Sequence, residues 1–155
     1  MENALKRIRS VADYQFGKGV GSKLFPENVE IARSKRTGRI RYVYLNGERL
    51  VTLRPTDGLL SLSIIGARRI VGKAPLAKCL VTVRGDVSEF IAEGRSVFAK
   101  HVVKADVEIR PKDEVVVVDE NGKVLAVGRA VSSGEEMEIS MSGIAVRVRR
   151  GIGES

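Results

Sequence analysis

G-R-S-V-F-A-K-H-V, residues Gly94–Val102, is the stretch on which the fold turns. A helix signal ends at its glycine, because glycine readily takes the left-handed conformation that closes helices. A strand pattern then runs over Ser96–Val103, with Val97, Ala99 and His101 on one face and Phe98, Lys100 and Val102 on the other. The stretch carries two positive charges and the chain's only histidine.

Upstream, Leu80–Arg84 is a β-branched strand, and Asp86-Val-Ser-Glu89 reads as a capping box opening a helix of about two turns. Downstream, Pro111-Lys-Asp113 is a turn, and Val115–Val118 is apolar throughout, as a strand buried on both faces would be. Asn121-Gly122 closes a hairpin onto Val124–Ala130, and Ser133-Gly134 is read as another turn. Over Ile144–Arg149 the alternation puts Ile144, Val146 and Val148 inward and Ala145, Arg147 and Arg149 outward. About six short strands with closely spaced turns predict a small, closed or nearly closed barrel with the helix over one opening.

The first half reads differently. Leu5, Ile8 and Val11-Ala12 give residues 2–14 a helical apolar face. Gly17-Lys-Gly-Val-Gly-Ser-Lys23 lacks Walker spacing and a preceding strand, so it predicts a turned connection and no nucleotide loop. Three strands follow as a meander, Val29–Lys35, Arg39–Leu45 and Glu48–Arg54, with a tight hairpin at Asn46-Gly47. Leu59–Val71 then predicts a short extended piece and a helix begun near Ser61 or Ser63. Gly72-Lys-Ala-Pro75 ends that element and marks a boundary, giving domains over 1–77 and 78–155. Arg33, Lys35, Arg36, Arg39 and Arg41 gather around the Thr37-Gly38 turn, which suits either a solvated tip or a phosphate contact.

Composition bounds the function. The 155 residues carry 27 Lys and Arg against 19 Asp and Glu, a net charge of +8 that points toward a polyanion. One cysteine and one histidine exclude an intramolecular disulfide and a Cys/His zinc site within one chain. No apolar run approaches the ~20 residues of a membrane span, and the first ten residues lack a signal-peptide core, so a cytoplasmic protein is expected, with no metal, cofactor or membrane partner. None of Asp57, Asp86, Asp106, Asp113, Glu135 and Glu136 neighbours a convincing nucleophile, so catalysis by this chain alone is not expected.

The quoted stretch continues as V-F-A-K-H-V-V-K-A-D-V-E-I-R-P-K-D-E-V-V-V-V-D, followed by L-A-V-G-R-A and G-I-A-V-R-V-R-R-G. These residues resemble a PUA domain, the RNA-binding module named after pseudouridine synthases and archaeosine transglycosylases. A-D-Y-Q-F-G-K-G, F-P-E-N-V-E-I, T-G-R-I-R, T-L-R-P-T-D-G and I-I-G-A-R-R-I are similar to the small α/β domain preceding PUA in archaeal tRNA-guanine transglycosylase. The resemblance spans roughly residues 10–151. It implies an α+β N-terminal domain followed by a small, mostly-β PUA-like barrel. The family's catalytic domain is a TIM barrel of ~250 residues with catalytic aspartates and a zinc site, for which this chain has no room.

In PUA domains RNA lies against the short helix, the strand after it and the last strand. Carried onto this sequence, the resemblance implies RNA contacts at Gly94, Arg95, Ser96, Phe98, Lys100 and His101, with Arg147 and Arg149 from the last strand. Arg95 and Lys100 would neutralise phosphates. Phe98 and His101 suit either core packing or stacking on a base. Arg36, Arg39 and Arg41 are possible further contacts. The expectation is a protein that binds tRNA or another structured RNA without catalysing a reaction, either alone or as a partner of a catalytic transglycosylase subunit. A ribosome- or translation-associated PUA protein and a basic protein-interaction module are the alternatives.

Overall fold

Ala4, Ile8, Ala12 and Phe16 recur every four residues, so one stripe of a helix can be buried along its whole length. In the computed structural model, which describes residues 2–154, this stripe lies on α1 (Glu2–Phe16). Ile8 and Ala12 belong to the expected face, whereas Leu5 and Val11 are only half-buried. The chain divides into two compact units, with the boundary between Ala77 and Lys78.

In the first unit, the glycine-rich connection is more ordered than its composition implies. It contains a five-residue helix, α2 (Val20–Leu24). A Cβ on Gly21 would sit 2.2 Å from the Arg9 carbonyl oxygen, so only glycine lets α2 lie this close to α1. Asp13 fixes the contact by accepting a 2.7 Å hydrogen bond from the Gly21 amide. The connection does turn at Gly17 and Gly19, which both have positive φ, and then packs a short helix against α1.

The meander has four strands, β1 (Glu30–Arg33), β2 (Ile40–Leu45), β3 (Glu48–Leu53) and β4 (Leu60–Leu62), paired antiparallel in that order. Asn46 and Gly47 both have positive φ, as a two-residue hairpin turn matched to strand twist requires. Gln15 of α1 donates to the Leu60 carbonyl and accepts from the Leu60 amide, both at 2.8 Å, which satisfies part of the edge strand β4. α3 (Ile64–Ile70) follows, capped by the Ser63 hydroxyl, which accepts from the Gly66 amide at 3.0 Å.

The second unit contains β5 (Leu80–Val83), α4 (Ser88–Ala92), β6 (Val97–Phe98), β7 (Val102–Ala105), β8 (Glu114–Val118), β9 (Val124–Ala130), α5 (Gly134–Ile139) and β10 (Ile144–Gly151). The sheet order is β6-β10-β9-β8-β5-β7. Its two outermost strands, β6 and β7, are consecutive in the chain, joined by one 3-10 turn over Ala99–His101. Chain continuity therefore brings the two ends of the sheet together and nearly closes the barrel. Val81, Val83, Ile91, Val97, Val115, Val117 and Val146 fill its core. Val115–Val118 of β8 are buried, as their apolar run implies, and so is Glu114 at the start of the strand.

Four local expectations change here. Ser96–Val103 is not one strand: β6 pairs with β10 and β7 with β5, and a single extended segment cannot serve both ends of the sheet. The Asp86–Glu89 capping box does not form. Asp86 pairs instead with Arg84 at 3.1 Å, and α4 has no side-chain cap, being preceded by a 3-10 turn over Gly85–Val87. The box forms at Ser133 and Glu136, where it opens α5 in place of the expected turn. Ala145 is fully buried, not outward, because the pairing register shifts between Ile144 and Val146.

Candidate nucleic-acid interface

The helix stop and the 3-10 turn place the implied site residues of the second unit. At Gly94 φ is 98°, and its amide donates to the Ile91 carbonyl at 2.9 Å, which terminates α4. The next amide, that of Arg95, donates back to Phe90 at 3.1 Å. This back-turn stands the Arg95 guanidinium 5.8 Å from the centre of the Phe90 ring, and Phe90 is 54% exposed. A cation over an exposed ring makes a flat, charged surface suited to a base or a phosphate. Ser96, half-buried, links α4 to β6.

Phe98 is 43% exposed, which removes it from the core. It meets His101 edge-on, with ring centres 5.7 Å apart and an interplanar angle of 85°. The intervening 3-10 turn makes this contact, since two strand residues on opposite faces would not touch. The His101 Nδ1 is buried without a hydrogen-bond partner. Burial lowers the His101 pKa below its ordinary value, with the positive charges of Arg84 and Lys100 acting the same way and Asp86 opposing. That shift favours the neutral imidazole, which is suited to ring contacts such as the one with Phe98. Lys100, between the two rings in sequence, is exposed.

The two arginines of β10 separate. Arg147 is exposed and lies three residues from Ile144, the partner of Phe98, about 10 Å along the strand. Its cross-strand partner is Arg129, also exposed. Like charges directly opposite each other are unfavourable, and an anion between them would offset that. Arg149 instead makes a two-pronged ion pair with Glu114, at 2.9 and 2.5 Å, and the Glu114 side chain is wholly buried. Its guanidinium is thus engaged inside the fold.

Gly94 also has a neighbour that sequence reasoning missed. A Cβ there would meet the Glu154 carboxylate at 2.8 Å, and that carboxylate accepts a 2.6 Å hydrogen bond from the Gly151 amide. The close approach that Gly94 permits is occupied by the chain's own acidic side chain. Phe90 and Arg129 were missed as well. A five-residue helix with Ile91 already buried leaves Phe90 little room inside, and that signal could have found it.

In the first unit, Arg36, Arg39 and Arg41 line a recess of about 800 Å³ between α1 and the turns after β1 and β3. Arg7 of α1 joins them there. Among the described residues, no group of three His, Cys, Asp or Glu side chains could hold a metal ion, and no helix is long and apolar enough to cross a membrane.

A nearly closed barrel whose lip combines exposed rings with cations is the architecture of a small nucleic-acid-type module, and residues 80–152 match the PUA domain. Residues 6–76 match the patch-forming domain C2 of tRNA-guanine transglycosylase. The chain thus carries a C2 domain followed by a PUA domain, and it is similar to the C-terminal portion of archaeal tRNA-guanine(15) transglycosylases. It is 46% identical to that of Pyrococcus furiosus over 153 residues, 99% of this chain and 26% of the relative. It is 43% identical to that of Methanobrevibacter smithii over 148 residues, 96% of this chain and 22% of the relative. The chain therefore spans about a quarter of the length of these relatives. Among solved structures, a hypothetical protein of Pyrococcus horikoshii has the same fold, with a TM-score of 0.77 at 24% identity, covering 97% of this chain and 91% of that one. A conserved PUA domain protein of Thermoplasma acidophilum gives 0.70 at 22%, covering 98% and 90%.

Proposed function

We propose that this chain binds tRNA in the cytoplasm, without catalysing a reaction itself, and serves a transglycosylase of the archaeosine pathway. The observation that carries the reading is the lip of the second unit: Arg95 on exposed Phe90, exposed Phe98 against His101, and Lys100 between them in sequence. Rings stack on unpaired bases or sugars, and the cations neutralise phosphates. Similarity to transglycosylases that act on tRNA supports tRNA as the RNA. Gly94 and Ser96 shape the lip, and Arg147 extends it. Arg149 holds β10 in place through Glu114.

The test is binding of the purified chain to a tRNA transcript, to an unstructured RNA of equal length and to heparin, across a salt series. Preference for the folded tRNA, with affinity falling steeply as salt rises, is the expected result. Arg95→Ala combined with Lys100→Ala should reduce the slope of log K against log salt by about 1.4 to 1.8, the value for two lost phosphate contacts. Equal binding to all three polyanions would remove the tRNA reading. An unchanged affinity in the double variant would place the interface elsewhere.

A further inference from the structure

We propose that the recess of the first unit is a second RNA subsite, one that takes an unpaired nucleotide with its base on an apolar floor and its phosphates on a rim of arginines. This rests on the RNA-binding reading above and adds to it a site and a form of RNA.

The charge distribution directs attention to this unit. Residues 1–77 hold 15 Lys and Arg against 6 Asp and Glu, whereas residues 78–155 hold 12 against 13. The whole positive excess of the chain lies in the first unit, outside the PUA domain. Part of it converges on one place. Arg7 comes from α1, Arg36 and Arg39 from the turn between β1 and β2, and Arg41 from β2, and all four line the recess. All four are exposed, and none has a carboxylate within salt-bridge distance among the described residues. The carboxylate at this rim, Asp57, is already used: it accepts from the Leu59 amide at 2.9 Å and stands 3.7 Å from Arg54.

The turn that presents Arg36 and Arg39 is braced. The Ser34 hydroxyl accepts from the Thr37 amide, the Thr37 hydroxyl accepts from the Arg39 amide, and Arg33 donates to the Gly38 carbonyl. The cations are therefore presented from an ordered turn, at lower entropic cost to a ligand.

The floor decides the form of RNA. Half-buried Val11 and Leu53 supply its accessible apolar surface, with Ile8 and Ile40 buried behind them. A rail for duplex phosphates needs cations on a surface and has no use for an apolar recess. Its volume of about 800 Å³ lies within the ~300–1,000 Å³ typical of sites that enclose a small molecule. A paired base stays stacked inside its duplex, so only an unpaired one can reach such a floor. Planar guanidinium groups at the rim can stack on that base as well as pair with its phosphates.

The test uses the full chain and three probes: a blunt stem–loop RNA, the same stem–loop with a short single-stranded overhang, and the same overhang made of abasic residues. The base-bearing overhang should bind about tenfold more tightly than the blunt form, in line with stacking contributions of individual bases. The abasic overhang should regain little of that gain. Arg36→Gln with Arg39→Gln, both at exposed positions where a thermal melt verifies folding, should abolish the overhang preference. Arg95→Ala with Lys100→Ala should weaken all three probes together and leave the preference intact.

Equal affinity for base-bearing and abasic overhangs would overturn the nucleotide subsite in favour of a phosphate rail. A preference surviving Arg36→Gln and Arg39→Gln would place it outside the recess. If an acidic peptide added as a fourth probe bound the parent but not the double glutamine variant, while the overhang preference survived, the recess would be a protein-docking site. If no probe bound at all, the RNA-binding reading itself would fall. If the probes bound without an overhang preference, only the subsite would.

Discussion

Arg149→Ala separates a structural arginine from an RNA-contacting one. Glu114 opens β8 with its side chain wholly buried, and Arg149 meets both of its carboxylate oxygens. Removing one partner of a fully buried ion pair costs about 3–5 kcal/mol, because the other charge is left without compensation. The Arg149 side chain is 39% exposed, so water reaches part of this pair and the cost falls below that range, to about 2–3 kcal/mol. In a domain of this size that corresponds to a melting point lower by roughly 10–20 °C. The assay is a thermal melt of the full chain, with hydrogen exchange locating the loss to β8, β9 and β10. Replacing both partners with apolar residues of similar length, Glu114→Met with Arg149→Met, should recover most of the loss, since it leaves neither a buried charge nor an unpaired buried polar group. The reasoning is refuted if Arg149→Ala melts like the parent and binds RNA more weakly. Arg149 would then be an RNA contact, and its pairing with Glu114 incidental.

Two further perturbations probe the lip. Glu154→Gln removes a negative charge beside Gly94 while keeping an acceptor for the Gly151 amide, so tRNA affinity should rise by roughly twofold to fivefold. A fall in affinity would mean that Glu154 supports the surface more than it repels RNA. His101 has a folded pKa below its ordinary value of 6.5, so the unfolded chain takes up its proton first on acidification. Its contribution to stability is complete above that value and is lost as the pH falls through it toward the folded pKa. Between about pH 7.5 and 5.5 the parent should therefore lose more melting temperature than His101→Asn does, and equal losses in the two proteins would contradict the assignment.

Much of the fold was legible because its signals are local. Asn46-Gly47 fixes a hairpin by turn geometry, Ser63 starts α3 by capping, and the β-branched apolar run at Val115–Val118 suits a strand buried on both faces. What stayed hidden depends on partners distant in sequence. Val97 and Ala99 are both buried, as one continuous strand would have them, and only the different partners of β6 and β7 reveal the break between them. Ser133 and Glu136 obey the same capping rule that was assigned to Asp86 and Glu89. The pattern is present at both places, but the box forms only at the second, since Asp86 pairs with Arg84 at the first. Arg147 and Arg149 share a face by alternation, yet the pairing register slips between Val148 and Arg150, and Glu114, 35 residues away, claims one of them. The cluster at Arg36, Arg39 and Arg41 was visible in the sequence. Its conversion into a recess was not, because Arg7 and Ile8 arrive from α1.

The distribution of charge assigns different physical work to the two units. Counterion release scales with the number of phosphates neutralised, and the net positive charge resides in residues 1–77. The second unit, with 12 cationic against 13 acidic residues, has no excess to spend on a long backbone contact. Its lip instead sets exposed Phe90 and Phe98 beside Arg95, Lys100 and His101, a surface suited to stacking on unpaired rings more than to charge density alone. On the reading proposed for this chain, the salt dependence of RNA binding therefore comes mainly from the first unit, and the choice of folded RNA comes mainly from the second.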